Sequence, residues 1–543
     1  MDRINGQGGY KRQLAIDALI WLVFSMRTLS FSEIQHALAV EPLDKLFHNG
    51  RLVAAEMLTA ACAGFVLVDL DADVIRLAHY TAAEYLREKR ASMFRDCQSK
   101  LAEQCLTYLS FDEFGETTRG LDPRQMEQRN KAYPFLNYAA DHWGHHIAQG
   151  VKEGFVHKLA WEFLSNAGKV ESARRAMTEI SFQHETQISG LHIAAYFGLD
   201  TVVKKAISKN KAFPLNAKTS RDQTPLHWAA NFDQVKFIKL LVEKGVDLNE
   251  TDIEGKTALH HAVMHGHLSA VEMLLSSVRL PNLDITDCHG WTPLRWAARY
   301  GPGKTVELLL ENGASVDAQD ANGWTALRWA AYSGQKWIVE QLVQYGASLE
   351  RRSAQEHWTL LHWAAREGLD NIIQMLIEKG VPLDSVDGEG YTALRGAIDY
   401  GRGKTAWLLM TAGADVNMAD GKGNTPLHSA VNLYNKSQDN SLAWLLLEYR
   451  ANINARNKLG LTPLHIAATV GYGSILWLLL EKGADTTKVD NNGRTPLHWA
   501  VTEWHQEIPK LLLARAENLL NVKDDQRQTA LHVAASDGNL AMP

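Results

Sequence analysis

The sequence predicts a mostly α-helical protein: a small N-terminal domain of three helices and a hairpin, a helical connector, and a long array of short helical repeats. Three observations lead there. The pattern T-[PA]-L-[HR]-x-A, seen as Thr224-Pro225-Leu226-His227-Trp228-Ala229, returns at Leu259, Leu294, Leu327, Leu361, Leu394, Leu427, Leu464, Leu497 and Leu531. A degenerate first copy lies at Leu191, and successive leucines are 33 to 37 residues apart. Self-similarity at that period marks one helical unit stacked many times, here eleven. The chain has 543 residues, too many for one ordinary core, so it must divide or grow by repetition. Residues 1–94 lack the repeat and instead alternate helical and strand-like segments.

Within that first segment a helix is expected at about Leu14 to Met26. Ser30 and Glu33 have the spacing of a capping box, which opens a second helix towards Val40. A third helix is expected at about Leu52 to Ala63. Phe65 to Leu70 reads as a strand, Asp71-Ala72-Asp73 as a turn and Val74 to His79 as the returning strand. Three helices and a hairpin make a winged helix. The connector is expected over 95–187 and the array over 188–543.

Each repeat has a physical logic. Threonine caps a helix, and proline takes its first position, where a missing N–H costs nothing. Leucine and the small Ala-Ala pair let neighbouring helices approach, and a second apolar helix such as Thr305 to Leu310 follows. Gly413, before Ala414-Asp415-Val416-Asn417, can end such a helix in the left-handed conformation. Extra residues around Tyr434 to Ser441 are expected in the turn between the helices of the eighth repeat. The eleventh repeat runs only to Pro543, so its second helix is expected to be missing.

The repeat resembles the ankyrin repeat, a β-turn plus two antiparallel helices, over about residues 188–543. The N-terminal phrasing, LAIDALIWLVFSMRTLSFSEIQHALAV and CAGFVLVDLDADVIRLAHYTAAEYL, resembles the winged helix of fungal NACHT-type (STAND) signalling NTPases, a segment type also known from GPI inositol-deacylase-like proteins. Tyr133 to Ile147 is similar to the connector those proteins place before their repeats. That resemblance implies an NTPase module upstream, contacted in cis or in trans, whose nucleotide chemistry maps onto no residue here.

Composition narrows the function. Hydrophobic residues are 46% and charged residues 22%, a globular balance, and the net charge of −6 draws the chain neither to nucleic acid nor to an acidic membrane. The four cysteines are scattered, which suits a reducing compartment, the cytoplasm or the nucleus. Leu14 to Phe24 is too short to span a bilayer.

Chemical motifs are weak. Gly303-Lys304-Thr305 and Gly403-Lys404-Thr405 lack the earlier glycine of a phosphate loop, with Ala298 and Ile398 in its place. Asp69, Asp71 and Asp73 open like a calcium loop but are followed by Val74 and Tyr80 where glycine and glutamate belong. His142, His145 and His146 with Asp141 do not complete a zinc set. Residues 1–95 carry eleven basic and eleven acidic residues, and the candidate recognition helix has Glu56 and no Lys or Arg, against DNA readout. No catalytic residue, cofactor or metal is expected, and the chain is read as no enzyme.

Eight of the 22 histidines are the fourth motif residue and are expected to hydrogen-bond between neighbouring turns; Arg295, Arg328 and Arg395 replace them in three repeats. Trp228, Trp296, Trp329, Trp363 and Trp499 follow that residue and are expected in the core. Trp291, Trp324, Trp358 and Tyr391 precede the motif threonine in four consecutive repeats, on the β-turn. Tyr300, Tyr332 and Tyr400, with Arg299 and Arg366, lie near the end of the first helix. Aromatic and arginine side chains dominate binding hot spots, so these nine residues are the candidate partner site, weighed against mere stacking that stiffens the array. The expected function is a non-enzymatic scaffold, or the sensor half of a NACHT-type signalling protein; the alternative is a regulatory part of an NTPase or hydrolase with its catalytic domain upstream.

Overall fold

The computed structural model describes residues 1–88, 94, 96–114, 123–149, 154–178, 185–208, 214–437, 440–471, 473–502 and 507–536. The chain forms two compact bodies, 1–288 and 289–543.

In the first body, helix Gly9–Phe24 begins earlier than its apolar run. Its polar first turn is exposed, while Leu14, Leu19, Trp21 and Val23 are buried. Helix Phe31–Leu38 opens on the expected capping box: Ser30 Oγ accepts from Glu33 N at 3.1 Å, and Ser30 N donates to the Glu33 carboxylate at 2.8 Å. The third helix is shorter than its sequence suggests, Ala55–Ala61. Gln35 Nε2 donates to Val53 O at 2.7 Å and helps hold 52–54 extended, and left-handed Ala63 and Gly64 (φ 49° and 86°) end the helix. Strands Val66–Asp69 and Val74–Leu77 pair antiparallel, Val66 with Leu77 and Val68 with Ile75. This is the winged helix the element order implies.

Helices Cys97–Leu109 and Leu136–Ala148 of the connector pack against each other and seal one side of the winged helix. Trp21 lies at the joint, fully buried, edge-on to Phe135 (5.1 Å) and Tyr138 (5.6 Å), with its indole N–H donated to Gln104 Oε1 at 2.9 Å. Helices Phe155–Leu164 and Ala167–Ala176 lead to the first three repeats. Packing is tight at the handover: a Cβ on Gly144 would lie 2.1 Å from the Phe197 ring, so only glycine fits.

Each of the first ten repeats is a pair of short antiparallel helices, such as Ala326–Tyr332 with Lys336–Gln344 and Leu360–Glu367 with Asp370–Glu378. Ten of the eleven motif leucines are at most 3% exposed; Leu531 is 64% exposed. Gly413 adopts φ 98° after helix Gly403–Thr411, as expected. The extra residues of the eighth repeat lengthen its first helix, Pro426–Ser437, instead of forming only a turn, because nothing in that stretch forbids helix; 438–439 lie outside the described residues. The last described helix is Ala530–Ser536, and the expected loss of the following helix falls on 537–543, also outside them.

Candidate functional site

The motif histidine pins one repeat to the next. In the second repeat the Thr224 backbone N–H donates to His227 Nδ1 at 3.1 Å, so that nitrogen is an acceptor and the proton sits on Nε2. Nε2 then donates to Lys256 O of the third repeat at 3.0 Å. His192, His362, His428, His465 and His498 repeat the arrangement onto Gln223, Tyr391, Leu461, Arg494 and Gln528 carbonyls. These imidazoles are structural crosslinks and have no spare nitrogen for catalysis.

The β-turns are built by an aspartate. Asp320 Oδ1 accepts from Asn322 N and Trp324 N, and Asp387 Oδ1 accepts from Glu389 N and Tyr391 N, all at 2.8–2.9 Å. The aromatic four residues on is thereby fixed in place. Gly323 before it is left-handed (φ 73°), and an added Cβ would lie 2.5 Å from Ala354 N of the next turn. The sixth repeat has one residue more, so Ser353 Oγ takes the aspartate's place for Trp358 N (3.1 Å) and His357 takes the left-handed position (φ 58°). Backbone bonds knit successive turns, Ala354 N to Asn322 O and Gly388 N to Glu356 O.

On that frame the nine sequence-predicted residues fall into neighbouring clusters of the second body. Arg299 lies over Trp291 (5.3 Å), Tyr300 (4.7 Å) and Tyr332 (5.8 Å). Trp324 faces Trp329 at 4.7 Å and Trp363 at 6.4 Å. Arg366 lies over Trp358 (5.2 Å) and Tyr400 (4.6 Å), while Arg395 lies over Tyr391 (5.0 Å). The turn rings are half-buried, whereas Tyr300, Tyr332 and Tyr400 are 58%, 54% and 50% exposed. Cation–π contacts of this kind are worth about 0.5–1 kcal/mol at exposed sites.

One expectation needs correction. Trp228 and Trp363 are core residues, but Trp296, Trp329 and Trp499 are half-exposed. Their ring edge looks out of the first helix: Trp499 Nε1 reaches Asp490 at 3.0 Å, and Trp329 lies 4.2 Å beneath Arg299. The arginines in the histidine slot also gain an account. Arg295 replaces the two-ended imidazole with a fork that donates to Gly290 O and, at 2.8 Å, to Ala318 O. Arg395 bonds Asp399 (2.9 Å) and Asp420 (3.0 Å). Arg328 packs its guanidinium 3.8 Å from the Trp324 ring centroid, and burial pushes its pKa down to about 10, with the Arg366 charge adding to the effect.

A cavity of about 560 Å³ opens beside the third cluster, lined by Trp358, Arg366, Tyr391, Arg395, Tyr400 and Ser429 among others. The sequence reading missed Ser429, which no local motif marks, and Arg328 and Arg395 as members of the face. It also missed a second row. Trp407, Trp444 and Trp477 hold the same place on three consecutive second helices and are 44%, 48% and 54% exposed, where the fourth to sixth repeats have Glu307, Glu340 and Gln374. Aligning second helices in register finds them.

The other motifs are spent on structure. Lys304 pairs with Glu307 and Lys404 with Asp370, and both G-K-T triplets sit in the first turn of a second helix. Asp69 Oδ1 caps its own turn, and Asp73 accepts from Ser32 N and Oγ. His146 is buried against Tyr138 Oη (3.0 Å) and Gln98 (2.5 Å). Among the described residues no three metal-ligating side chains converge, and no helix is long and apolar enough to cross a membrane.

Comparison with known proteins agrees with this architecture. Residues 2–102 match the family described as GPI inositol-deacylase, winged helix domain. Residues 191–282, 278–353, 349–420, 397–490, 427–524 and 484–542 match the family described as ankyrin repeats (3 copies). The chain is 37% identical over 139 residues to palmitoyltransferase AKR1 of Lachancea kluyveri, covering 24% of this chain and 18% of that protein. It is 35% identical over 95 residues to rabankyrin-5 of Mus musculus (17% and 8%), and 31% identical over 136 residues to ankyrin repeat domain-containing protein 63 of Mus musculus (24% and 32%). The chain thus spans at most about a third of these relatives. With repeats matched over most of its length, a GPI inositol-deacylase-type winged helix ahead of them, and a helix pair described in each of the first ten repeats, the chain belongs to the ankyrin-repeat family of protein-interaction proteins.

Proposed function

We propose that the chain is a non-enzymatic scaffold whose fourth to seventh repeats capture a protein partner on the aromatic–guanidinium face. The observation that carries this is the row of half-exposed tyrosines, Tyr300, Tyr332 and Tyr400, each standing beside an arginine already stacked on indole. Rigid aromatics lose little entropy on binding, and the turns that hold them are hydrogen-bonded in advance. Trp291, Trp324, Trp358 and Tyr391 form the floor of this site. No nucleic acid, membrane or cofactor enters the reading.

The finer reading follows the N-terminal resemblance: the chain is the sensor half of a NACHT-type signalling protein in the cytoplasm or nucleus, its winged helix docking on an NTPase module in cis or in trans. Exposed Leu43, Leu46, Met57, Leu67 and Leu70 on the winged helix support a protein-docking role for it. A regulatory role beside a catalytic domain elsewhere is the second reading, favoured by the deacylase-type match at 2–102. The palmitoyltransferase likeness adds nothing catalytic, since it covers 18% of that enzyme.

Photo-crosslinking tests whether this face is the binding groove of the array. With p-benzoylphenylalanine at Tyr332 or Tyr400, a cellular partner is expected to crosslink; at Trp407 or Trp477 on the second helices it is not. Crosslinks confined to the second-helix positions would move the binding surface to the other face.

A further inference from the structure

The aromatic–guanidinium face carries arginines that differ in how fully the protein's own acceptors engage them. Arg395 is held by Asp399 and Asp420. The third carboxylate at the cavity, Asp387, is committed on both oxygens, to the Glu389 and Tyr391 amides and to Trp358 Nε1 at 2.9 Å. Arg366, in contrast, reaches among the described residues only the carboxylate of its chain neighbour Glu367 at 3.8 Å, too long for a hydrogen bond, and its enclosed Nε has no partner among them. Ser429 is 5% exposed, lines the same cavity, and its hydroxyl likewise has no partner among the described residues. One repeat away Arg328 is 7% exposed, its Nε equally unpartnered, and among the described residues it forms no ion pair.

A buried donor left without an acceptor is destabilising, the more so when it is charged. Three such groups on one face are therefore a standing cost, which a ligand with the complementary chemistry would lower. The group that suits a guanidinium already stacked on Trp358 and Tyr400 together with a buried hydroxyl accepts hydrogen bonds and carries negative charge. A carboxylate has both properties. At about 560 Å³ the cavity holds a side chain, not a folded surface.

We propose that this cavity takes a carboxylate of an acidic peptide segment of the partner, bound by Arg366 and Ser429, with Arg328 drawing a second negative charge one repeat away. The proposal rests on the groove reading above and specifies its ligand chemistry.

The test uses the full chain with N-acetyl hexaglutamate amide as probe and the hexaglutamine peptide as its neutral twin, followed by calorimetry. Hexaglutamate is expected to bind and to weaken with salt, although the protein carries net charge −6, and hexaglutamine is not. Arg366→Gln is expected to weaken binding about tenfold or more, with Arg366→Lys restoring only part of it, since the charge returns without the fork. Ser429→Ala should weaken binding while leaving melting unchanged or higher, a split that a packing role would not produce. Lys404→Gln, on the second-helix side, should change nothing. Equal binding of the two peptides, or full binding to Arg366→Gln, overturns the carboxylate assignment, as does tighter capture of a phosphoserine peptide that inorganic phosphate competes away. If the carboxylate assignment fails while Tyr332 and Tyr400 still crosslink a partner, the groove reading stands and only the ligand class falls.

Discussion

Lowering the pH from neutral to about 5 is expected to cost residues 1–288 several kcal/mol of stability, with proton uptake on unfolding. Four buried histidines set the effect. Burial pushes His146 and His227 down to about 3, and His36 and His192 down to about 4. All four are at most 8% exposed. For a group whose folded pKa is depressed, stability is fully present above the unfolded value near 6.5 and is lost as pH falls towards the folded value. The window for these four therefore opens at about 6.5 and closes near 3–4, and at pH 5 each contributes a loss of about 2 kcal/mol. Burial sets the sign. In His227 and His192 the bonding works in the same direction, because the Nδ1 that must take the proton already faces a backbone N–H. Melting measured across this range should fall steeply below about 6.5, and His36→Gln or His146→Gln should flatten the slope. A melting temperature independent of pH down to about 5 would contradict the burial of these rings.

The second large effect is at the joint between winged helix and connector. Trp21→Ala removes a fully buried indole and strands Gln104 Oε1, which also has its amide committed to Ala37 O. Large aromatic truncations in cores cost about 3–5 kcal/mol, and the orphaned acceptor adds to that. Trp21→Phe, which keeps an aromatic ring beside Phe135 but loses the hydrogen bond and part of the buried ring, is expected to cost clearly less. Chemical denaturation followed by connector fluorescence reads both. Equal, small losses for the two substitutions would mean that the connector is not seated on Trp21.

The pattern of what was legible follows from the range of the interactions. The repeat, its caps and its turn glycines are local, so Thr, Pro, Leu and Gly at fixed offsets announced them. The Ser30–Glu33 capping box and the Val66–Leu77 hairpin were visible for the same reason. The third helix came out short because Gln35, from another helix, bonds Val53 O. Motif tryptophans look alike in sequence, yet Trp363 is buried and Trp329 is only part-buried, and their neighbours differ: Trp363 meets Trp324 and Tyr332 of the preceding repeat, whereas Trp329 meets Trp291 of the preceding repeat and Trp324 of its own. The nine candidate residues were readable because their spacing matches the repeat. Ser429 and the unpaired state of Arg366 were not, since both depend on where the carboxylates of neighbouring repeats are already engaged.

The turn tryptophans are also packing pieces: Trp291 lies 4.7 Å from Trp329, and Trp358 Nε1 holds Asp387. Replacing them would lower both binding and melting and so would not separate the two roles. Tyr332 and Tyr400, each at least half exposed, do separate them. The direct measurement is quantitative capture of native-lysate proteins on the full chain and on the Tyr332→Ser/Tyr400→Ser variant, with both melting temperatures recorded. The account predicts that the captured partner is lost while melting stays within a few degrees, about 0.5 kcal/mol or less per surface change. Undiminished capture by the double variant would contradict the groove as the binding site.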